Sequence, residues 1–288
     1  GANVGLGYWT ARHLAAAGAT VVLACRAPAA CEEAAAEIRA AAPAGDAVAM
    51  PLDLGSFASV RAFAKAFLAR FPLLDVLVLN AGVMACPFAL TADLVEYQMG
   101  VNHFAHFLLA TELLPALEAA GRARGPATVT VVSSSAHFGS YPEGVRLSLA
   151  ELNDPQRYSP VQAYGQSKLA NILFAQELAA RCRERHILVN SVHTGSVRTS
   201  LGRHLARAAR EHIGEALTER LTELLFSASW QPREAALTTL YAAVGPRVRA
   251  EGLTGRYFHP IARETDPDRV HCRNRTLQEG LWALSEAV

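Results

Sequence analysis

Short runs of apolar, often β-branched residues recur along the chain, separated by longer stretches whose apolar positions return every three or four residues. Thr20–Cys25, Ala47–Leu52, Asp75–Leu79, Ala127–Val132 and His186–Val192 read as strands buried on both faces. Residues 8–17, 29–41, 56–70, 93–119 and 161–183 read as helices, several with a start signal such as Ser56 or Thr91, and the first ends near Gly18. Each parallel crossover requires a covering helix, so this alternation predicts an α/β fold with a doubly wound parallel sheet in a single domain, 1–288.

Two regions break the rhythm. Residues 134–160 form a long connection after the strand ending at Val132, at the carboxyl edge of the sheet where ligands bind in such folds. Residues 196–230 are helical and charged on one side, and read as a substrate-covering lid. The chain also opens at Gly1, inside a glycine-rich turn, so the strand expected to feed that turn is missing. The sequence therefore reads as a fragment of poor stability, with the edges beside the missing strand unpaired.

At 288 residues and 51% hydrophobic, the chain can bury one large core. A net charge of +1, with acids and bases interspersed, lacks the basic face a nucleic-acid partner would need, and favours small-molecule partners. The five cysteines (Cys25, Cys31, Cys86, Cys182, Cys272) form no CxxC pair and no zinc-like cluster, which suits a reducing intracellular compartment and no metal. No apolar run approaches the roughly 18 residues that cross a bilayer. Oligomeric state is not legible, and association of a longer chain with a membrane stays open.

The opening Gly1-Ala2-Asn3-Val4-Gly5-Leu6-Gly7 runs into a helix, as in Rossmann-like folds. Glycines let a pyrophosphate approach the backbone, and the helix N-terminus offers it unpaired N–H groups. An ordinary glycine turn is the plainer alternative. Arg26 follows the first strand where an acid would bind the ribose hydroxyls; a guanidinium there suits a 2′-phosphate, hence NADP, against the reading of a solvated arginine. Asp53 is either an adenine acceptor or a turn acid before Ser56. Asn80-Ala81-Gly82 ends the next strand with small residues against which a cofactor could lie.

Tyr164 and Lys168 stand one helical turn apart on a predicted helix, about thirty residues after Ser134 at a strand end. Lowering a phenol by about 3 pKa units takes roughly 4 kcal/mol of anion stabilisation, which the Lys168 ammonium and a cationic nicotinamide could supply. Ser134 would bond the substrate oxygen while Tyr164 exchanges a proton with it. Asn102 sits mid-helix, where asparagine is mildly unfavourable; linking Lys168 to solvent would give it a task. His103 and His106 lack a third ligand and read as packed histidines.

The set Gly1-x-x-x-Gly5-x-Gly7, Asn80-Ala81-Gly82, Asn102, Ser134 and Tyr164-x-x-x-Lys168 resembles the short-chain dehydrogenase/reductase family. Cys25-Arg26, Leu52-Asp53-Leu54, Val101-Asn102-His103-Phe104, Ser134-Ser135-Ala136-His137, Ser167-Lys168-Leu169-Ala170-Asn171 and Thr254-Gly255-Arg256-Tyr257-Phe258 look like its NADP-using retinol dehydrogenase branch. The resemblance implies a catalytic tetrad of Asn102, Ser134, Tyr164 and Lys168. It adds Asn3, Leu6, Leu54 and Thr199 to the cofactor contacts, and a bulky lipophilic aldehyde, ketone or alcohol as substrate. His193-Thr194-Gly195 departs from the branch, which has proline at the middle position, so a freer turn is expected there. The competing reading is an NADP-sensing interaction protein with little turnover.

Overall fold

The computed structural model describes residues 1–198, 200–227 and 229–288. Five strands lie where the apolar runs place them: β1 (Thr20–Cys25), β2 (Asp46–Pro51), β3 (Val76–Leu79), β4 (Ala127–Val132) and β5 (Ile187–Val192). Two more, β6 (Tyr257–His259) and β7 (Arg263–Glu264), extend the far side. All pairings are parallel except β6 with β7. Helices Phe57–Arg70, Ala105–Arg124 and Pro160–Arg181 cover the sheet, and Phe63, Phe67, Leu113, Leu117, Phe174 and Trp282 pack with Val129, Val131 and Val189 into the main core.

The sheet is split. β1 and β2 form one sheet and β3-β4-β5-β6-β7 another, with no ladder between β1 and β3. Between them lies a cavity of about 800 Å³, lined by Val21, Val22 and Ala24 on one side and Val76, Leu77 and Val78 on the other. It stands where the sequence led us to expect a central strand. Asn80 is one tie across its mouth, donating from Nδ2 to the Gly1 carbonyl at 3.0 Å.

The helix expected over 93–119 is three segments. Thr91 is not its start: the Thr91 hydroxyl accepts from Val95 N–H, and Leu94 takes a left-handed φ of 58°. Glu96 is the cap, its carboxyl oxygens accepting from the N–H groups of Gln98 and Met99, because one carboxyl group can satisfy two otherwise unpaired buried donors at once. A π-helical turn, Gly100–Phe104, precedes the regular helix Ala105–Arg124. By contrast Ser56 does cap helix Phe57–Arg70, accepting from Ser59 N–H.

The stretch 196–230 carries helices Arg203–Ile213 and Glu215–Ser227. Its base is closed by a bridge of Val197 with Trp230, with Trp230 N–H donating to Ser196 O at 2.8 Å. Thr199 lies outside the described residues. Cys25 and Cys31 are joined as a disulfide, their Cα atoms 5.8 Å apart across the strand-to-helix turn. Spacing alone did not suggest that pair, and with it the cysteines no longer argue for a reducing compartment. Among the described residues no helix is long and apolar enough to cross a membrane.

Candidate active site

Glycine is required in the opening turn by space. A Cβ on Gly7 would sit 2.0 Å from the Gly1 carbonyl oxygen, and one on Gly1 would sit 2.9 Å from Ala81 Cα. Gly5 has a left-handed φ of 55°. Helix Gly5–Ala16 begins with no side-chain cap, since Val4 occupies that position. Its first N–H groups are left for an outside acceptor, the arrangement that suits a pyrophosphate. Asn3 lies half-buried in this turn, while Leu6 packs beside Val132, Val192 and Phe258.

Arg26 is exposed just past β1, and after burial its charge is the second influence that lowers the Gly1 amine. Asp53 serves its own turn, with Oδ1 accepting from Gly55 N–H at 2.9 Å, so the plainer of its two readings holds for that oxygen. Leu54 is buried in the main core. Small residues at 81 and 82 keep the route open: a Cβ on Gly82 would meet Asn102 Oδ1 at 3.2 Å and Lys168 Nζ at 3.4 Å.

Around the ends of β3 and β4 the four candidate catalytic side chains converge. Tyr164 and Lys168 are both buried on helix Pro160–Arg181, with Lys168 Nζ 5.7 Å from the centroid of the Tyr164 ring. Lys168 Nζ donates to Val132 O at 3.1 Å. Ser134 begins the 3₁₀ turn Ser135–Gly139, its Oγ accepting from Ala136 N–H. Asn102, on the π-helical turn, accepts from Val83 N–H and donates to Val83 O and to Ser167 Oγ. It therefore clamps the strand end beside Gly82 to the catalytic helix. Its own carbonyl bonds His106 Nδ1 at 3.1 Å.

Burial dominates the electrostatics of the pair. Burial pushes the Tyr164 phenol up to about 12, with a hydrogen bond to Ser134 working the other way, and burial pulls Lys168 down to about 8. Desolvation of the phenolate outweighs the Ser134 hydrogen bond. At neutral pH the pair is a phenol and an ammonium, poised to give a proton. Burial also holds His103 and His106 neutral, at about 3.

Sequence reasoning passed over several supports. Gly165 is one: a Cβ there would sit 2.7 Å from both Ala136 O and Gly139 O, so only glycine brings the helix against the Ser134 turn. Asn171 Nδ2 donates to Val132 O, the same carbonyl that holds Lys168. Ser167 Oγ donates to Tyr164 O. Polar residues mid-helix were the available signal. The His193-Thr194-Gly195 turn is also less free than expected, because Thr194 is buried and a Cβ on Gly195 would sit 2.5 Å from Trp230 Cδ1.

Residues 1–146 match the family model described as short chain dehydrogenase. The chain belongs to the short-chain dehydrogenase family. Within it, the chain is 40% identical to retinol dehydrogenase 14 of Mus musculus, over all of this chain and 84% of that protein. It is 39% identical to human retinol dehydrogenase 12, over 99% of this chain and 83% of the other. Short-chain dehydrogenase TIC 32 B, chloroplastic, of Brassica napus is 37% identical over 99% of this chain and 85% of its own length. A solved structure of an uncharacterized protein from Mycobacterium paratuberculosis, 35% identical, superposes with a TM-score of 0.71, covering 100% of this chain and 90% of that one. This short-chain dehydrogenase is thus an oxidoreductase of CH–OH and C=O groups in the retinol dehydrogenase-like branch, and its family uses a nicotinamide cofactor.

Proposed function

We propose that the protein is an NADP(H)-dependent carbonyl reductase or alcohol dehydrogenase for a bulky lipophilic aldehyde, ketone or alcohol, with reduction the favoured direction. The observation that carries this reading is the buried Tyr164 phenol, hydrogen-bonded to Ser134, with an ammonium 5.7 Å from its ring.

Gly1, Asn3, Gly5, Leu6 and Gly7 would hold the pyrophosphate side of the dinucleotide, Arg26 the 2′-phosphate, Asp53 and Leu54 the adenine side, and Asn80, Ala81, Gly82, Lys168 and Thr199 the nicotinamide side. NADPH, when bound, supplies the hydride. Ser134 donates a hydrogen bond to the substrate oxygen and orients it. Tyr164 passes its phenolic proton to that oxygen as negative charge develops there. Lys168 stabilises the phenolate left behind, and Asn102 keeps the strand end in register with the helix that carries both groups.

Two features support the cofactor and substrate classes. Arg26 offers a permanent charge beside the glycine turn, and a relative 26% identical to this chain, Pseudomonas aeruginosa RhlG, was solved as an NADP complex with a TM-score of 0.67, covering 90% of this chain and 92% of that one. Phe138, Val161 and Trp230 expose apolar surface on the elements that carry Ser134, Tyr164 and the base of the 196–230 insertion, which we assign as the substrate lid. The test is NADPH oxidation with long-chain aldehydes and retinal. Tyr164→Phe is expected to lose about 10²- to 10⁴-fold in turnover while still binding NADPH. If wild type and variant were equally inactive yet both bound NADPH, a cofactor-sensing role would replace this one.

A further inference from the structure

His137 is fully buried behind Ser134, and among the described residues its ring bonds neither Tyr164 nor Lys168 but Ser134 and Asp268. Its Nδ1 lies 2.7 Å from the Ser134 carbonyl, and its Nε2 lies 3.1 Å from the backbone nitrogen of Asp268. A backbone N–H can only donate, so Nε2 must be the unprotonated acceptor. The single ring proton is then on Nδ1 and is given to Ser134 O. That carbonyl also accepts from His137 N–H at 3.1 Å, so one residue grips it twice.

The ring is held between two others. Phe138 lies 4.0 Å away in a tilted arrangement, and the buried Tyr257 of β6 meets it edge-on at 5.4 Å. Behind it, the segment that supplies Asp268 is itself fastened. His271 bridges the Asp268 carboxylate and the Pro142 carbonyl, both of which only accept, so both its ring nitrogens donate and the ring is an imidazolium. Burial opposes that charge, but its bonds to Asp268 and Pro142 raise His271 above its ordinary value.

Resting on the function proposed above, we infer that His137 is a positioning residue: its Nδ1–H fixes the Ser134 backbone, and through it the hydroxyl that orients the substrate oxygen, against the 266–271 segment. Two substitutions separate the ring's two bonds. In His137→Asn the amide nitrogen can take the place of Nδ1 and still donate to Ser134 O. In His137→Gln the longer side chain reaches the Nε2 position and leaves Ser134 O without its side-chain donor.

The inference predicts that His137→Gln loses about ten- to hundredfold in kcat, with KM for the carbonyl substrate and NADPH affinity within about twofold of wild type, and that His137→Asn recovers most of the kcat. Unfolding midpoints measured for both variants control for loss of fold. If kcat were equally low in both and tracked the midpoints, or if His137→Gln kept full turnover, the inference would be overturned. Imidazole ¹⁵N shifts of the wild type give an independent reading: an Nδ1–H tautomer for His137 is expected, and an Nε2–H tautomer would overturn the inference even in an active enzyme. An inactive wild type would instead sink the functional reading, and the tautomer would still decide whether this ring holds Ser134.

Discussion

Replacing Lys168 by methionine should make the protein more stable while abolishing its chemistry. Burial lowers this lysine from 10.5 to about 8, and each pKa unit is about 1.4 kcal/mol, so holding the ammonium inside costs the fold about 3 kcal/mol at pH 7. Methionine fills a similar volume without the charge. The hydrogen bond lost to Val132 O is worth about 1 kcal/mol, and that carbonyl keeps its bond from Asn171 Nδ2. The net expectation is a gain of about 2 kcal/mol at pH 7, or roughly 3 °C for a chain of this length. Because the folded pKa lies below the unfolded value, the unfolded wild type binds more protons between about pH 8 and 10.5. Wild-type stability should therefore rise with pH across that window, and the advantage of Lys168→Met should shrink. Urea unfolding at pH 7, 8, 9 and 10 reads this directly. A variant less stable than wild type at pH 7, or a difference that stays constant with pH, would refute the reasoning.

Arg26→Ala should weaken NADPH binding by about ten- to a hundredfold, the worth of a charge-assisted contact, and leave NADH nearly unchanged; equal losses by fluorescence titration would remove the basis for choosing NADP. Gly7→Ala puts a methyl group 2.0 Å from the Gly1 carbonyl oxygen, so cofactor affinity should fall more than tenfold as the turn opens, whereas Ala17→Gly at the far end of the same helix should leave it unchanged.

The strands were legible because their apolar runs are bounded by turns, and β1 and β4 begin and end at the expected residues. The pairing of the candidate side chains Tyr164 and Lys168 was legible because a tyrosine and a lysine four apart share a helix face. What the sequence hid depends on contacts between distant segments. Glu96 rather than Thr91 starts the long helix because its carboxylate reaches two N–H groups, and the π-helical turn that aims Asn102 leaves no mark in residue periodicity. The need for glycine at 165 comes from the Ser134 turn that rests on it, a contact no local pattern announces. Spacing reveals the neighbouring ammonium but not how dry the pocket is, and it is burial that raises the phenol in the bare chain.

The division of the sheet shifts the work of joining its two parts from backbone to side chains. No ladder joins β1 to β3, and the cavity between them is walled by Val21, Val22, Ala24, Val76, Leu77 and Val78, with Thr20, Asp75, Asn80 and Arg124 also lining it. The main core runs across the division all the same, with Met50, Leu52 and Leu54 in one cluster with Leu77, Leu79 and Val129, so the half that carries Arg26 is held to the half that carries Tyr164 by interdigitated side chains.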